Sequence, residues 1–374
     1  MEPITSQPRY ADVIDQYESL WALEDLPSPL WQMPTPPGII IFYVEKAEII
    51  PLLKDKQAQL QAELMFLRFR ENVPLNDCFV PHLQPQQGVG VFASAFGCKV
   101  RYFEHTLPWA YPVIGKDDPP EKVYDLPKPD VTDGQLGAML EFTEYFAAKT
   151  EDRYPIAITD LQGPMDTAYL IWDTVSLMKA MFTNPDEVHY LMRMVTDLIM
   201  DYVKEQRARC KEFLPCHFPS LWLPDGKGIA ISDDCLAVLG PNQYREFSIP
   251  YCNELSKEFG GLFIHSCGNF VHQLDVLEGI HNLRGINFGA SETPFKPVWD
   301  RFGGRTVIAP HLGLNVEIHF ETVYQFLEQV LRTKTTNRGL CVLPMPVAEQ
   351  SKLGDPSYLA HFSSKVSKMI EEYS

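Results

Sequence analysis

Positive charge is what this sequence has least of: 32 Lys and Arg stand against 49 Asp and Glu, a formal charge of −17 over 374 residues. Gripping a phosphate backbone takes clustered Lys and Arg. No such run occurs, so a nucleic-acid partner is excluded and the acidity is read as a solubility device. No basic stretch leading into an apolar one opens the chain, so MEPITSQPRY is not read as a secretory signal. Long hydrophobic runs are missing too. The longest, such as GIIIFYV from Gly38 to Val44, have the length of a strand and fall far short of a membrane span. Dense cysteine spacing is absent: the eight cysteines (78, 98, 210, 216, 235, 252, 267 and 341) are scattered, which excludes a secreted disulfide scaffold. A cytoplasmic setting is expected, with thiols free to act as ligands.

What is present is an ordinary globular composition, 45% hydrophobic and 22% charged, in a chain long enough for a large core. Many of the 31 prolines fall in the first 130 residues. A strand is expected at 38–44 and a helix from about Ala47 to Glu71, followed by an irregular excursion from Leu107 to Asp130. Beyond residue 130 the pattern becomes regular. Helices are expected at 133–149, 166–182, 185–212, 242–258, 270–279, 295–302, 318–333 and 357–372. Strands are expected at 155–160, 261–265, 283–288, 305–309 and 339–343, with short apolar runs at 219–223 and 228–232. Asn184-Pro185 and Gly240-Pro241 read as helix starts. This alternation predicts parallel β/α units and, at this length, an α/β fold of the (β/α)8 TIM-barrel type. The whole chain, 1–374, is read as one such unit, with residues 1–130 as an N-terminal elaboration and first barrel units and 131–374 as the regular β/α units.

Active sites of such barrels lie at the C-terminal ends of the strands. The residues that fall there are Asp160, the pair Asp233 and Asp234, His265-Ser266-Cys267, Glu292, His311 and Cys341. His265 and Cys267, two apart at a strand end, point to one side and can grip one ion. Gly268 then lets the backbone turn sharply. With Cys341 on a later strand, two thiolates and an imidazole suit a catalytic zinc with an exchangeable position. The plainer alternative is that both cysteines are small buried hydrophobes and His265 a hydrogen-bonded core histidine. Spacing alone leaves both open. Asp233 and Asp234 are candidates for orienting or protonating a substrate, although such a pair also caps helices and fills turns. His311 is a candidate for lining the cavity.

The segment SDDCLAVLGPNQYREFSIPYCNEL (Ser232 to Leu255), followed by IHSCGN, resembles the uroporphyrinogen decarboxylase superfamily. The His-x-Cys pair with a distal Cys resembles its zinc-containing methyltransferases. Further matches are LNDCFVP (Leu75 to Pro81), QGPMDTAYLIWD (Gln162 to Asp173) and the helix start at Asn184. The resemblance implies a barrel that moves methyl groups between corrinoid proteins and thiols, ethers or amines, with zinc on His265, Cys267 and Cys341. Cobalamin-independent methionine synthase is similar as well, and its glutamate–threonine pair makes Glu292 the implied fourth ligand. No Asp-x-His-x-x-Gly motif is present, so any corrinoid would arrive on a separate partner protein; a homodimer is a family-level expectation. The decarboxylases proper use an acid that maps to Asp77 and a tyrosine near Tyr169. Their arginine-rich N-terminal segment is absent here, Arg9 being the only arginine among residues 1–60, and a many-carboxylate tetrapyrrole needs that charge. A metal-free decarboxylase of a different acid, with Asp77 and Tyr169 central, is the alternative; a non-catalytic barrel that senses or delivers a ligand is a third. Asp160, Tyr169 and His311 are the candidate substrate contacts. Aromatics of the N-terminal part (Trp21, Trp31, Tyr43, Phe79, Phe92, Phe96, Trp109 and Tyr111) either roof an apolar pocket or fill the core.

Overall fold

Side chains alternate along each central strand, and this two-faced pattern decides the architecture. The computed structural model describes residues 2–34, 49–73, 75–104, 106–313, 320–345 and 352–374. The expected strand at 38–44 and Tyr43 lie outside them. The strands among the described residues are β1 (Leu30–Trp31), β2 (Lys99–Arg101), β3 (Trp109–Tyr111), β4 (Ile156–Ala157), β5 (Phe213–Leu214), β6 (Ile229–Ser232), β7 (Leu262–Ser266), β8 (Leu283–Gly289), β9 (Val307–His311) and β10 (Cys341–Val342).

Apart from the antiparallel β2–β3 hairpin, the paired strands run parallel and close into a ring. β6, β7, β8 and β9 form a continuous sheet. β9 meets β10 through the bridges Ile308–Leu340 and His311–Leu343. β10 pairs with β1, and Cys78 N–H donates to Trp31 C=O. The extended segment that follows bridges through Leu83 to β4, which pairs with β5. Ala230 N–H donates to Pro215 C=O and returns the ring to β6. The barrel expected from the sequence is therefore observed, with β1 interposed between β10 and the segment that opens the eight β/α units.

Ile229, Ile231, Leu262, Ile264, Ile286 and Phe288 face outward into the larger cluster shared with the surrounding helices. Ala157, Leu214, Ala230, Phe263, Val307, Ala309, Cys341 and Leu343 face inward and form a second cluster. Tyr17, Leu20 and Trp21 of the helix Pro8–Trp21 belong to this inner cluster and plug the barrel from below. Trp21 meets Phe263 edge-on at 5.4 Å and donates its indole N–H to Trp222 C=O at 2.7 Å. Gly285 makes room for this contact, since a Cβ there would lie 2.7 Å from the Phe263 ring.

Several helices are shorter than hydrophobic spacing implies, each for a local reason. The helix expected over 47–71 is two, Ile49–Lys54 and Lys56–Asn72, because Asp55 caps the second through the N–H groups of Gln57 and Ala58. That over 166–182 divides into Pro164–Ile171 and Thr174–Thr183, with Asp173 capping the second. The helix at 242–258 breaks at Ser248, where Pro250 supplies no N–H to the ladder. That expected over 270–279 shrinks to a short 3-10 turn and one α turn, Leu274–Leu277. The run 219–223 is not a strand; Leu221 and Leu223 pack into the inner cluster instead. The excursion after Leu107 contains β3 and a 3-10 turn, Pro120–Asp125.

Candidate active site

The C-terminal rim carries a cavity of about 240 Å³. Its wall is unusually rich in amides: Gln84, Gln86 and Gln162 line it with Asp160, His217, Phe218, Ser232, Asp234 and His265. Ser232 and His265 face inward at the ends of β6 and β7, where they are register partners.

His265 is positioned from behind. Its Nδ1 lies 2.6 Å from Asn287 Oδ1, on the neighbouring strand at the same register. The Asn287 amide nitrogen donates to the Ala309 carbonyl and lies 3.3 Å from His311 Nδ1. With its amide nitrogen committed to donors' work, Asn287 presents its oxygen to His265, so His265 Nδ1 carries the proton and Nε2 keeps its lone pair. That lone pair faces Cys267, whose Sγ is 3.5 Å from Nε2. Burial pushes the His265 pKa down, which keeps the ring neutral.

Asp234 completes the group. One ligand atom from each of Asp234, His265 and Cys267 lies within 4.8 Å of the others. Asp234 Oδ1 accepts from Cys267 N–H at 2.7 Å. Glu292 reaches the same turn from the loop after β8, its Oε2 accepting from Gly268 N–H at 2.7 Å. Gly268 has φ +79°, and a Cβ there would stand 2.7 Å from Ala237 Cβ, so this turn needs glycine. Burial first, then Asp234 and Glu292, push the Cys267 thiol well above its ordinary range. A bound cation reverses that balance.

Cys341 does not join this group. It is fully buried in the inner cluster, and Cys78, Asp77 and Tyr17 are its electrostatic neighbours. The reason is register: Leu343, not Cys341, pairs with His311 at the end of β9. Cys341 is two residues short of the rim, so the structure brings Asp234, and not Cys341, to His265 and Cys267.

Asp77 lies elsewhere, in a buried ion pair. Both of its oxygens accept from Arg70 Nη2, at 2.8 and 2.9 Å, and Oδ2 accepts from Met33 N–H at 2.9 Å. It locks the helix Lys56–Asn72 to the segment after β1 and is not part of the cavity wall.

Asp233 points away from Asp234, into the layer behind β6. Tyr244 donates to its Oδ2 at 2.6 Å. Asp166 and Cys235 lie beside it, and Tyr169 is an electrostatic neighbour of all three. Burial first, then the charge of Asp234 on Asp166 and of Asp166 on Asp233, raises both pKa values. Asp166 accepts the N–H groups of Asp234 and Cys235 at 2.6 and 2.9 Å and so holds the turn that presents Asp234. Neither Asp233 nor Tyr169 is among the residues that line the cavity. Asp160 does line it, and His311 stands beside His265 with ring centroids 5.9 Å apart.

Sequence reasoning missed Gln84, Gln86, His217, Phe218 and Asn287. The two glutamines alternate along the extended segment that opens the barrel. This is a two-residue period, and it carries a signal only once the strand is recognised.

Three comparisons bear on the site. Residues 87–211 match the family model for Uroporphyrinogen decarboxylase (URO-D). A methyltransferase from Methanosarcina mazei has a similar structure, with a TM-score of 0.66 and 14% identity over 94% of this chain and 98% of its own. At that identity the likeness establishes the fold. No curated protein matches the chain in sequence. The resemblance to the uroporphyrinogen decarboxylase superfamily is thus matched over residues 87–211, and the expected α/β fold by the similar structure. The matched segment contains Asp160, Gln162, Asp166 and Tyr169, while His265 and Cys267 lie beyond it. Among the described residues, no helix is long and apolar enough to cross a membrane.

Proposed function

We propose that this chain is a zinc-dependent methyltransferase of the uroporphyrinogen decarboxylase type. Asp234, His265, Cys267 and Glu292 would hold the metal, and a small substrate would sit in the adjoining cavity. The observation that carries the reading is the Asn287–His265–Cys267 alignment. A histidine whose Nδ1 proton is fixed by a neighbouring amide, with Nε2 directed at a thiol, has the arrangement that metal-ligating imidazoles use. One nitrogen, one sulfur and carboxylate oxygens form a donor set suited to a catalytic zinc site. Bound there, zinc supplies Lewis-acid pull on a methyl-bearing heteroatom or holds a thiol as thiolate.

The residues around it have separable tasks. Asn287 fixes the imidazole tautomer. Asp166 holds the turn bearing Asp234, and Gly268 brings the Glu292 carboxylate against the Cys267 turn. Gln84, Gln86 and Gln162 supply amide donors and acceptors that orient a substrate. Among the described residues Asp234 is exposed and Cys267 half-buried, which leaves access for a methyl carrier. We assign that carrier to a separate corrinoid protein, in a cytoplasm that keeps all eight cysteines reduced.

The reading is tested by elemental analysis. About one zinc per chain is expected, lost in Cys267→Ser and sharply reduced in Asp234→Ala, and retained in Cys341→Ala. Absence of zinc after reconstitution, or its loss with Cys341 and not with Asp234, overturns the proposal.

A further inference from the structure

The charge on the cavity wall constrains what the cavity holds. Asp160 is buried with its side chain 11% exposed toward the opening. Gln162 donates to its Oδ1 at 2.6 Å, and Gln86 also hydrogen-bonds to it. Both donors are neutral amides: they hold the carboxyl group without supplying a positive charge, and burial pushes its pKa up. The nearest basic group, His217 Nε2, is 3.9 Å away, and burial pushes its pKa down to about 3. His217 Nε2 lies instead 3.0 Å from the Ser232 hydroxyl. Asp234 lines the same wall, where the proposed metal would take up its charge. Among the described residues, no lysine or arginine lines this cavity. The chain does place basic groups elsewhere: a hollow of about 680 Å³ beside the N-terminal ends of β5 and β6 carries Lys204, Arg207 and Lys211.

A fixed carboxylate without a counter-ion, facing a small cavity, is an incomplete ion pair, because a charge taken from water needs a partner. Phe218 lies on the same wall and offers an aromatic ring, which attracts cations lacking hydrogen-bond donors. The volume is below the range of about 300–1,000 Å³ usual for drug-sized ligands. We propose that the cavity binds a small methylated onium ion, an alkylated ammonium or sulfonium, with Asp160 as its counter-ion. This rests on the reading of the cavity as the substrate's seat and narrows that substrate to a cation.

Isosteres provide the test. Choline, the neutral 3,3-dimethylbutan-1-ol and the anionic 3,3-dimethylbutyrate share a shape and differ in charge. They are titrated calorimetrically into the full-length protein, once zinc-loaded and once after chelation. Choline is expected to bind at least about tenfold more tightly than the alcohol, and the anion more weakly than either. Asp160→Asn is expected to bring choline to the level of the alcohol, and Phe218→Leu to weaken choline more than the alcohol. Tetramethylammonium and trimethylsulfonium then identify the heteroatom, and tighter binding of either supports the assignment. Equal binding of alcohol and choline by the wild-type protein overturns it, with no variant needed. So does a choline preference that survives in folded Asp160→Asn. A cation preference in protein that takes up no zinc sinks the metal reading alone; zinc uptake without that preference sinks this inference alone.

Discussion

Replacing Asp77 by asparagine removes one half of a buried ion pair and leaves the other half in place. The side chains of Arg70 and Asp77 are 4% and 3% exposed, and one guanidinium nitrogen serves both carboxylate oxygens. The guanidinium also lies 4.4 Å from the centroid of the Phe79 ring. Its burial is tolerable only because the carboxylate neutralises it, so Asp77→Asn should cost about 3–5 kcal/mol. Arg70→Met should cost a similar amount by stranding the carboxylate, which also holds Met33 N–H. The double variant leaves no buried charge, so its cost should fall well short of the roughly 6–10 kcal/mol to which the two singles sum. Urea unfolding of the four proteins, followed by tryptophan fluorescence, gives the cycle directly. Zinc content and choline affinity of the folded fraction should be unchanged in all four. The reasoning fails if Asp77→Asn unfolds at the wild-type midpoint while losing ligand binding. That result would return Asp77 to the active site and favour the decarboxylase reading.

Two further outcomes follow from single hydrogen bonds. Asn287→Leu frees His265 Nδ1 and should weaken zinc binding by about 10–100-fold in a competition with a chelating indicator; unchanged affinity would mean that Asn287 does not orient the ligand. Burial lowers the His82 pKa to about 4 from an ordinary 6.5. The unfolded chain therefore takes up a proton near pH 6.5 that the folded chain refuses until about pH 4, and stability is lost as pH falls through that window. At pH 5 the loss is about 2 kcal/mol, at about 1.36 kcal/mol per unit. The handicap of His82→Gln at pH 7 should shrink by that amount at pH 5, and a pH-independent handicap would show that His82 is not buried neutral.

How much of the site could be read in advance depends on how far each inference leaned on register. His265 and Cys267 were legible because a two-residue period at a strand end needs only the strand, and β7 is five residues long and uniformly buried. Cys341 was not, because β10 is two residues long and its level is set by pairing with the neighbouring β9. Nothing within RGLCVLP says that the rim falls at Leu343. β5, also two residues long, falls below the length at which periodicity speaks. The wall it carries, His217 and Phe218, went unread with it. Asp233 and Asp234 show the same limit at its sharpest. Adjacent and chemically identical, they were indistinguishable as candidates, yet one backbone step sends Asp233 to Tyr244 and Asp234 to Cys267. What separates them is Asp166, sixty-eight positions from Asp234 in sequence, whose carboxylate accepts the N–H groups of the turn. The chemistry of a residue is written locally. Its orientation is written by whichever distant partner satisfies the backbone beside it, and a single sequence does not reveal that partner until the barrel closes.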